Sequence, residues 1–222
     1  MTKKPVIAID GFSSTGKSSI SKIIARELGI IHMDTGALYR GITVFAIQHY
    51  LENNNINIPL LISHLNDISL EFRNIDGNLQ LFLNNKNIDA EIRDPKVSDY
   101  VSEVAKQPEV RAFLLSMQRQ MAENGGIVMD GRDIGTVVLP DADYKFFMTA
   151  SPDERAMRRY KELLAGGTEA DLEEVKANLL MRDKIDSERE TSPLKQADDA
   201  ILIDNTYLNK EETIALILSY IR

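Results

Sequence analysis

The chain contains no cysteine among its 222 residues, so disulfides, thiol nucleophiles and cysteine metal sites are excluded. Histidine is scarce as well. His32, His49 and His64 stand apart with no ligand spacing, and we expect each to be structural or exposed, none being needed for the chemistry below. No apolar run approaches the roughly 18 residues that would span a bilayer, and the first apolar stretch is cut by Asp10, too soon for a signal-peptide core. The expectation is a cytoplasmic protein with no membrane partner. Excess basic charge is missing too. The net charge is −8, which argues against sequence-independent nucleic-acid binding, because a polyanion is held by summed positive charge. Any phosphate ligand must therefore be gripped by local arginines. No internal repeat or low-complexity segment occurs, and Asn53 to Asn57 reads as a plain loop. What is present is ordinary for a globular chain, with 43% hydrophobic and 27% charged residues, in a length suited to one α/β domain with a full core.

One stretch organises the rest. Gly11, Phe12, Ser13, Ser14, Thr15, Gly16, Lys17 and Ser18 read GxxxxGKS after the apolar run Pro5 to Asp10. Glycines let successive backbone N–H groups curl around a phosphate, Lys17 adds a cation for the outer phosphates, and Ser18 offers a hydroxyl to Mg²⁺. The required context is present: a strand-like segment precedes the loop, and an amphipathic helix carrying Ile20, Ile23, Ile24 and Leu28 follows it and stops at Gly29. The helix N-terminus then lends its dipole to the phosphates.

Farther on, Ile30 to Met33 reads as a second short buried strand ending at Asp34-Thr35, where polar residues face the ligand crevice of an open α/β sheet or cap the next helix. That helix carries Arg40 near its start and apolar Leu38, Ile42, Phe45 and Ala46. Residues 56 to 112 interrupt the alternation of strand and helix. A short helix near Pro59 to Leu65 precedes two alternating runs, 68–72 and 79–83, joined through an Asp76-Gly77 turn signal, with a third strand expected in 85–92. This predicts a small antiparallel sheet, either clasping a substrate or purely structural. Two helices follow, one from Asp94-Pro95 and one from Pro108, bearing Ser102 and Arg111, which by themselves read as surface residues.

Ile127 to Met129 form a further buried strand closed by Asp130, the candidate to hold Mg²⁺ through water. Gly131 and Gly135 flank Arg132 and Asp133, which implies backbone held close to something with a guanidinium and a carboxylate projecting. Tyr144 to Met148 is the fourth strand, and Ser151 caps the helix with Arg155, Arg158 and Arg159, which breaks at Gly166-Gly167 before Thr168 restarts a helix. On that second arm, Leu172, Val175 and Leu179 form an apolar stripe continued by Arg182, Asp186 and Arg189, either ligand-facing or a surface pair. Ala200 to Asp204 is the fifth core strand, and a helix from Leu208 to Arg222 closes the chain.

With these residues in view, the chain resembles bacterial cytidylate kinases over essentially its whole length, through IDGFSSTGKS, MDTGALYR, the three-stranded insertion, SEVAKQPEVR, MDGRDIGTVV and RDKIDSER. MDGRDIGTVV and DTGALYR are far more specific than the phosphate loop, which many unrelated NTPases share. The resemblance implies a P-loop NTPase fold: a five-stranded parallel sheet with helices on both faces, a small antiparallel insertion and a short helical lid. It implies one kinase domain over residues 1–222, with a nucleoside monophosphate region near 36–112 and a lid near 153–185. It also implies ATP-dependent phosphorylation of CMP and dCMP, with Mg²⁺, by a monomer. ATP is then held by Gly11 to Ser18 and Ser19. Arg40, Arg132 and Arg189 hold the acceptor phosphate, Ser102, Arg111 and Asp133 read cytosine, and Arg182 and Asp186 lie by the ribose or the transferred group. Thr35 keeps a hydroxyl at a substrate position, and Phe12 replaces a common loop proline without removing a phosphate ligand. Lys17 and one of the lid arginines, Arg158 foremost, complete the catalytic set, the lid swinging in to exclude water. Two alternatives stay open: a kinase of the same fold for another acceptor such as UMP or shikimate, and a nucleotide-dependent switch. Neither Asn85-Lys86-Asn87-Ile88 nor Asn209-Lys210-Glu211-Glu212 carries the acid of a guanine-reading NKxD motif, which disfavours a GTPase.

Overall fold

The structure is a computed structural model describing residues 4–75 and 78–221. It divides into two compact units, one of residues up to Met33 and from Ala122 onward, the other of Asp34–Met121.

The first unit opens with β1 (Val6–Gly11), almost continuously buried as a strand covered on both faces must be. Helix α1 (Lys17–Leu28) buries Ile20, Ile24 and Ala25 at helical spacing and stops where Gly29 turns left-handed. β2 (Ile31–Asp34) follows.

In the second unit, α2 (Thr35–Tyr50) starts with Asp34 at its N-cap position and buries Leu38, Ile42, Phe45 and Ala46. Asn53 to Asn57 is not the plain loop expected from sequence. β3 (Leu51–Glu52) and β4 (Asn55–Ile56) pair as a tight hairpin, because Asn53 and Asn54 take φ of 49° and 60°, a region asparagine enters more readily than most residues. Helix α3 (Ile58–Ser63) is capped by Asn57, whose side chain accepts from the Leu60 N–H. β5 (Leu70–Ile75) and β6 (Asn78–Leu83) run antiparallel from Leu70↔Leu83 to Ile75↔Asn78. The Asp76-Gly77 turn lies outside the described residues. The third strand is shorter than the expected 85–92: β7 is Lys86–Asn87 alone. Beyond it the Asp89 carboxylate, not a backbone carbonyl, accepts from the Leu81 N–H at 3.2 Å, which ends the ladder. Leu70, Leu81 and Ile88 pack on α2 at Gly41 and form part of the core of this unit. Helix α4 (Pro95–Ala105), capped by the Asp94 side chain, and α5 (Pro108–Ala122) follow.

Back in the first unit come the wholly buried β8 (Ile127–Gly131), a π-type turn over Ile134–Val138, and β9 (Tyr144–Thr149). Helix α6 (Pro152–Ala165) is capped by Ser151. The helix expected from Thr168 begins only at Leu172: α7 is Leu172–Glu188, because the Asp171 carboxylate accepts from the N–H groups of Glu173 and Glu174 and so makes Asp171 the cap. β10 (Ile201–Asp204) and α8 (Lys210–Tyr220), the latter with an Asn209–Glu212 capping box, end the described chain.

The central sheet has the order β10-β9-β1-β8-β2, and β1 pairs in parallel with both β8 and β9, as β10 does with β9. Two strands read as buried are edges. Ile31 of β2 is 49% exposed and Leu202 of β10 is 54% exposed, since an edge strand lacks a neighbour to cover it. The core clusters Ile7, Ile9, Ile20, Ile24, Val128, Phe146, Met148, Ile203 and Ile217, each stabilising by about 1.5–3 kcal/mol on burial. Among the described residues no helix is long and apolar enough to cross a membrane.

Candidate active site

The carboxyl ends of β1 and β8 bring together the candidate residues of the first unit. Register sets Gly11 of β1 opposite Met148 of β9, and Gly11 has φ of 145°, so close that a Cβ there would collide with the Met148 carbonyl oxygen. Only glycine satisfies both the angle and the approach. The loop that follows closes on itself: buried Lys17 donates through Nζ to the Phe12 carbonyl at 2.5 Å, and Thr15 donates to the same oxygen at 3.0 Å. A phosphate would offer that ammonium a stronger, charge-assisted acceptor.

Ser18 and Asp130, far apart in sequence, meet. The Ser18 hydroxyl donates to Asp130 Oδ2 at 2.6 Å, because pairing of Ile9 with Asp130 brings the end of β8 beside the loop. Hydroxyl and carboxylate are hard oxygen donors of the kind Mg²⁺ takes, so the donor set fits that ion. His32 Nε2 lies 2.7 Å from Asp130 Oδ1. No ligand spacing in the sequence signalled that contact.

Arg132, immediately after β8, is the hub. Its Nη2 donates to Ser13 Oγ at 2.8 Å and its Nε to Asp186 Oδ2 at 2.9 Å. Burial works against its charge, yet Asp186, Asp183 and Asp130 outweigh burial and hold the guanidinium above its ordinary value. Arg189, the residue closing α7, is buried within 3.7 Å of Asp186 and 3.6 Å of Asp133. Arg132, Asp133, Asp186 and Arg189 thus form one charge lattice. Half-buried Arg182 precedes Asp183 on α7.

Each arginine of α6 has partners within the protein. Arg155 is buried against Asp183, 2.5 Å from Nη1 to Oδ2, and also donates to the carbonyls of Ala150 and Ser13, with its guanidinium over the Phe12 ring. Asp183 in turn accepts from the Ser13 N–H at 3.4 Å. Arg158 donates to the side chain and carbonyl of Asn205, whose amide donates to the Thr15 carbonyl at 2.9 Å. Arg159 pairs with Glu162 on its own helix. Asp183 and Asn205 were missed by sequence reasoning. Asp183 carried a usable signal, since it lies four residues after Leu179 and so falls on the same helical face.

The remaining candidates belong to the Asp34–Met121 unit. Thr35 is buried at the first turn of α2. Arg40 donates to the Ile92 carbonyl at 3.1 Å and Ser98 Oγ at 3.0 Å. Ser102 is buried on α4, and Arg111 of α5 is buried over the Tyr39 ring while donating to the Ala105 carbonyl at 3.1 Å.

Comparison with known proteins shows what this chain is similar to. The family model described as cytidylate kinase matches residues 7–222. A cytidylate kinase of Flavobacterium johnsoniae is 50% identical over 222 residues, covering 99% of this chain and 96% of that one. One of Streptococcus pneumoniae is 48% identical over 208 residues, with 94% and 93% covered. A solved structure of an uncharacterized protein from Eubacterium ventriosum aligns over 99% of this chain and 98% of its own with a TM-score of 0.54 at 13% identity, a likeness of fold alone.

Proposed function

The chain belongs to the cytidylate kinase family, and from that premise we propose that it moves the γ-phosphoryl group of ATP to CMP and dCMP. The acceptor is a phosphate oxygen already ionised near neutral pH, so no general base is required. What the protein supplies is position and compensating charge. In the phosphate loop, Gly11 to Ser18 and Ser19 wrap the ATP phosphates, and Lys17 leaves the Phe12 carbonyl for the outer ones. Ser18 and Asp130, the latter through water, would hold Mg²⁺, which when bound supplies charge neutralisation across the phosphate oxygens. Arg132 and Arg189 take the acceptor phosphate, with Asp186 and Arg182 by the ribose and transferred group. In the Asp34–Met121 unit we assign Arg40 to the acceptor phosphate, Ser102 and Arg111 to the base, and Thr35 to a polar substrate contact. Arg158 is the lid cation of this scheme and would exchange Asn205 for phosphate oxygen as α6 moves.

The observation that carries the reading most is Arg132. One guanidinium is hydrogen-bonded at once to Ser13 of the phosphate loop and to Asp186, a placement suited to a cation that bridges donor and acceptor. Asp133 selects the base by polarity: its carboxylate accepts from the cytosine amine and repels the oxygen that uracil presents there. ADP release with ATP and Mg²⁺ across CMP, dCMP, UMP and AMP tests the proposal. Turnover confined to the cytosine nucleotides is expected, and equal turnover of UMP would overturn the substrate assignment.

A further inference from the structure

Asp10 is the last side chain of β1 before the phosphate loop, and both of its oxygens are committed to backbone. Oδ1 accepts from the Ile134 N–H at 2.8 Å and Oδ2 from the Gly135 N–H at 2.7 Å. These are the two peptide groups directly after Asp133. On the carbonyl side, Asp133 accepts from the N–H groups of Val137 and Val138 at 2.9 and 3.2 Å, which closes the π-type turn. The backbone of Asp133 is therefore gripped by its own turn and by Asp10. At Gly135 an added Cβ would make only ordinary contact with Asp10 Oδ2, at 3.4 Å, and press on the flexible Lys145 side chain at 3.2 Å, so the grip on this turn comes from the Asp10 hydrogen bonds.

A carboxylate is an expensive group to bury here, and burial pushes Asp10 up to about 6 despite its two backbone donors. Asparagine would fill the same volume without that cost. It cannot replace the function, because its amide would turn a donor toward one of the two N–H groups.

We propose that Asp10 is a positioning residue for base selection: by holding the Ile134 and Gly135 peptides it sets the direction in which the Asp133 carboxylate meets the acceptor base. This rests on the reading in which Asp133 accepts from the cytosine amine. Asp10 touches no substrate. Its effect reaches the acceptor through the backbone of Asp133, so it should govern the CMP-to-UMP ratio more than ATP use.

The test compares wild type, Asp133→Ala and Asp10→Asn for kcat and KM with CMP, UMP and ATP. Asp10→Asn is expected to lower the CMP-to-UMP ratio of kcat/KM by about tenfold, the scale of one lost buried hydrogen bond, while the KM for ATP stays within about twofold. A merely structural role would lower the melting temperature and raise both KM values together, with the ratio intact, and would overturn the proposal. Should Asp10→Asn fail to fold, Asp10→Glu keeps the carboxylate but, one methylene longer, carries its oxygens away from the Ile134 and Gly135 N–H groups. It is expected to lower the ratio in the same direction, and an unchanged ratio there counts against Asp10. If wild type shows no preference for CMP, or Asp133→Ala keeps it, the functional reading falls and the role of Asp10 with it. If both hold and Asp10→Asn keeps the full preference, only the role of Asp10 is overturned.

Discussion

Replacing Asp183 by alanine removes one half of a buried ion pair that braces the phosphate loop. The side chains of Arg155 and Asp183 are 5% and 10% exposed, so water cannot take over the charge that is left. Arg155 keeps its bonds to the Ala150 and Ser13 carbonyls, but these are dipoles and not a counter-charge, and the Ser13 N–H loses its acceptor as well. Breaking such a pair by deleting one partner costs about 3–5 kcal/mol. For a chain of this size each kcal/mol lowers the melting temperature by about 2–4 °C, so a fall of about 6–20 °C is expected. Urea denaturation of wild type, Asp183→Ala, Arg155→Met and the double variant Asp183→Ala/Arg155→Met would measure it. The double variant should be more stable than Asp183→Ala, because two apolar side chains leave no charge stranded. The KM for ATP should rise in Asp183→Ala, since Ser13 is released. A loss below about 1 kcal/mol in Asp183→Ala, or single losses that simply add in the double variant, would refute the account.

Other consequences can be checked separately. Asp10 has its folded pKa raised to about 6 from 3.8 by burial, so the folded state holds the proton more tightly than the unfolded. Its contribution to stability is therefore full below about pH 4 and is lost as pH rises through about 6, a difference on the order of 3 kcal/mol. Carboxyl ¹³C shifts followed against pH should give a midpoint near 6, and one near 4 would contradict the burial argument. Gly11→Ala forces a Cβ onto the Met148 carbonyl oxygen, so ATP affinity should drop at least tenfold while far-ultraviolet circular dichroism stays native. Retained ATP affinity would show that the approach of β1 to β9 is not required. Asp133→Ala should erode the preference for CMP over UMP by about ten- to hundredfold and change the KM for ATP little; equal loss on both acceptors would remove Asp133 from base reading.

Much of the candidate site was legible because its signals are local. The phosphate loop is eight contiguous residues between a strand and a helix, and helix starts at Ser151 and Asp94 announce themselves by a side chain reaching a backbone N–H within a few residues. The alternating runs read at 68–72 and 79–83 likewise overlap β5 and β6, which pair antiparallel. Strand rank was less legible. Ile30 to Met33 and Ile201 to Ile203 are as apolar as the central strands, yet their place at the sheet edges depends on how many neighbours each acquires. The hairpin at Asn53 and Asn54 was hidden for a different reason: its strands are too short to show alternation, and only the left-handed φ values reveal it.

What the amino-acid order alone determined is the set of groups proposed to meet a phosphate or its Mg²⁺: Lys17, Ser18, Asp130, Arg132 and the charged stripe at the end of α7, each written in a motif or a helical period. Tertiary structure alone decided how those charges are held. Asp183 with Arg155, Asn205 with Arg158 and Thr15, His32 with Asp130, and Asp10 with the peptides after Asp133 all join residues at least 28 positions apart. Sequence patterns register the direction of a side chain from its own helix or strand. Which distant carboxylate stands close enough to neutralise a buried cation is settled only when the sheet assembles and water is excluded.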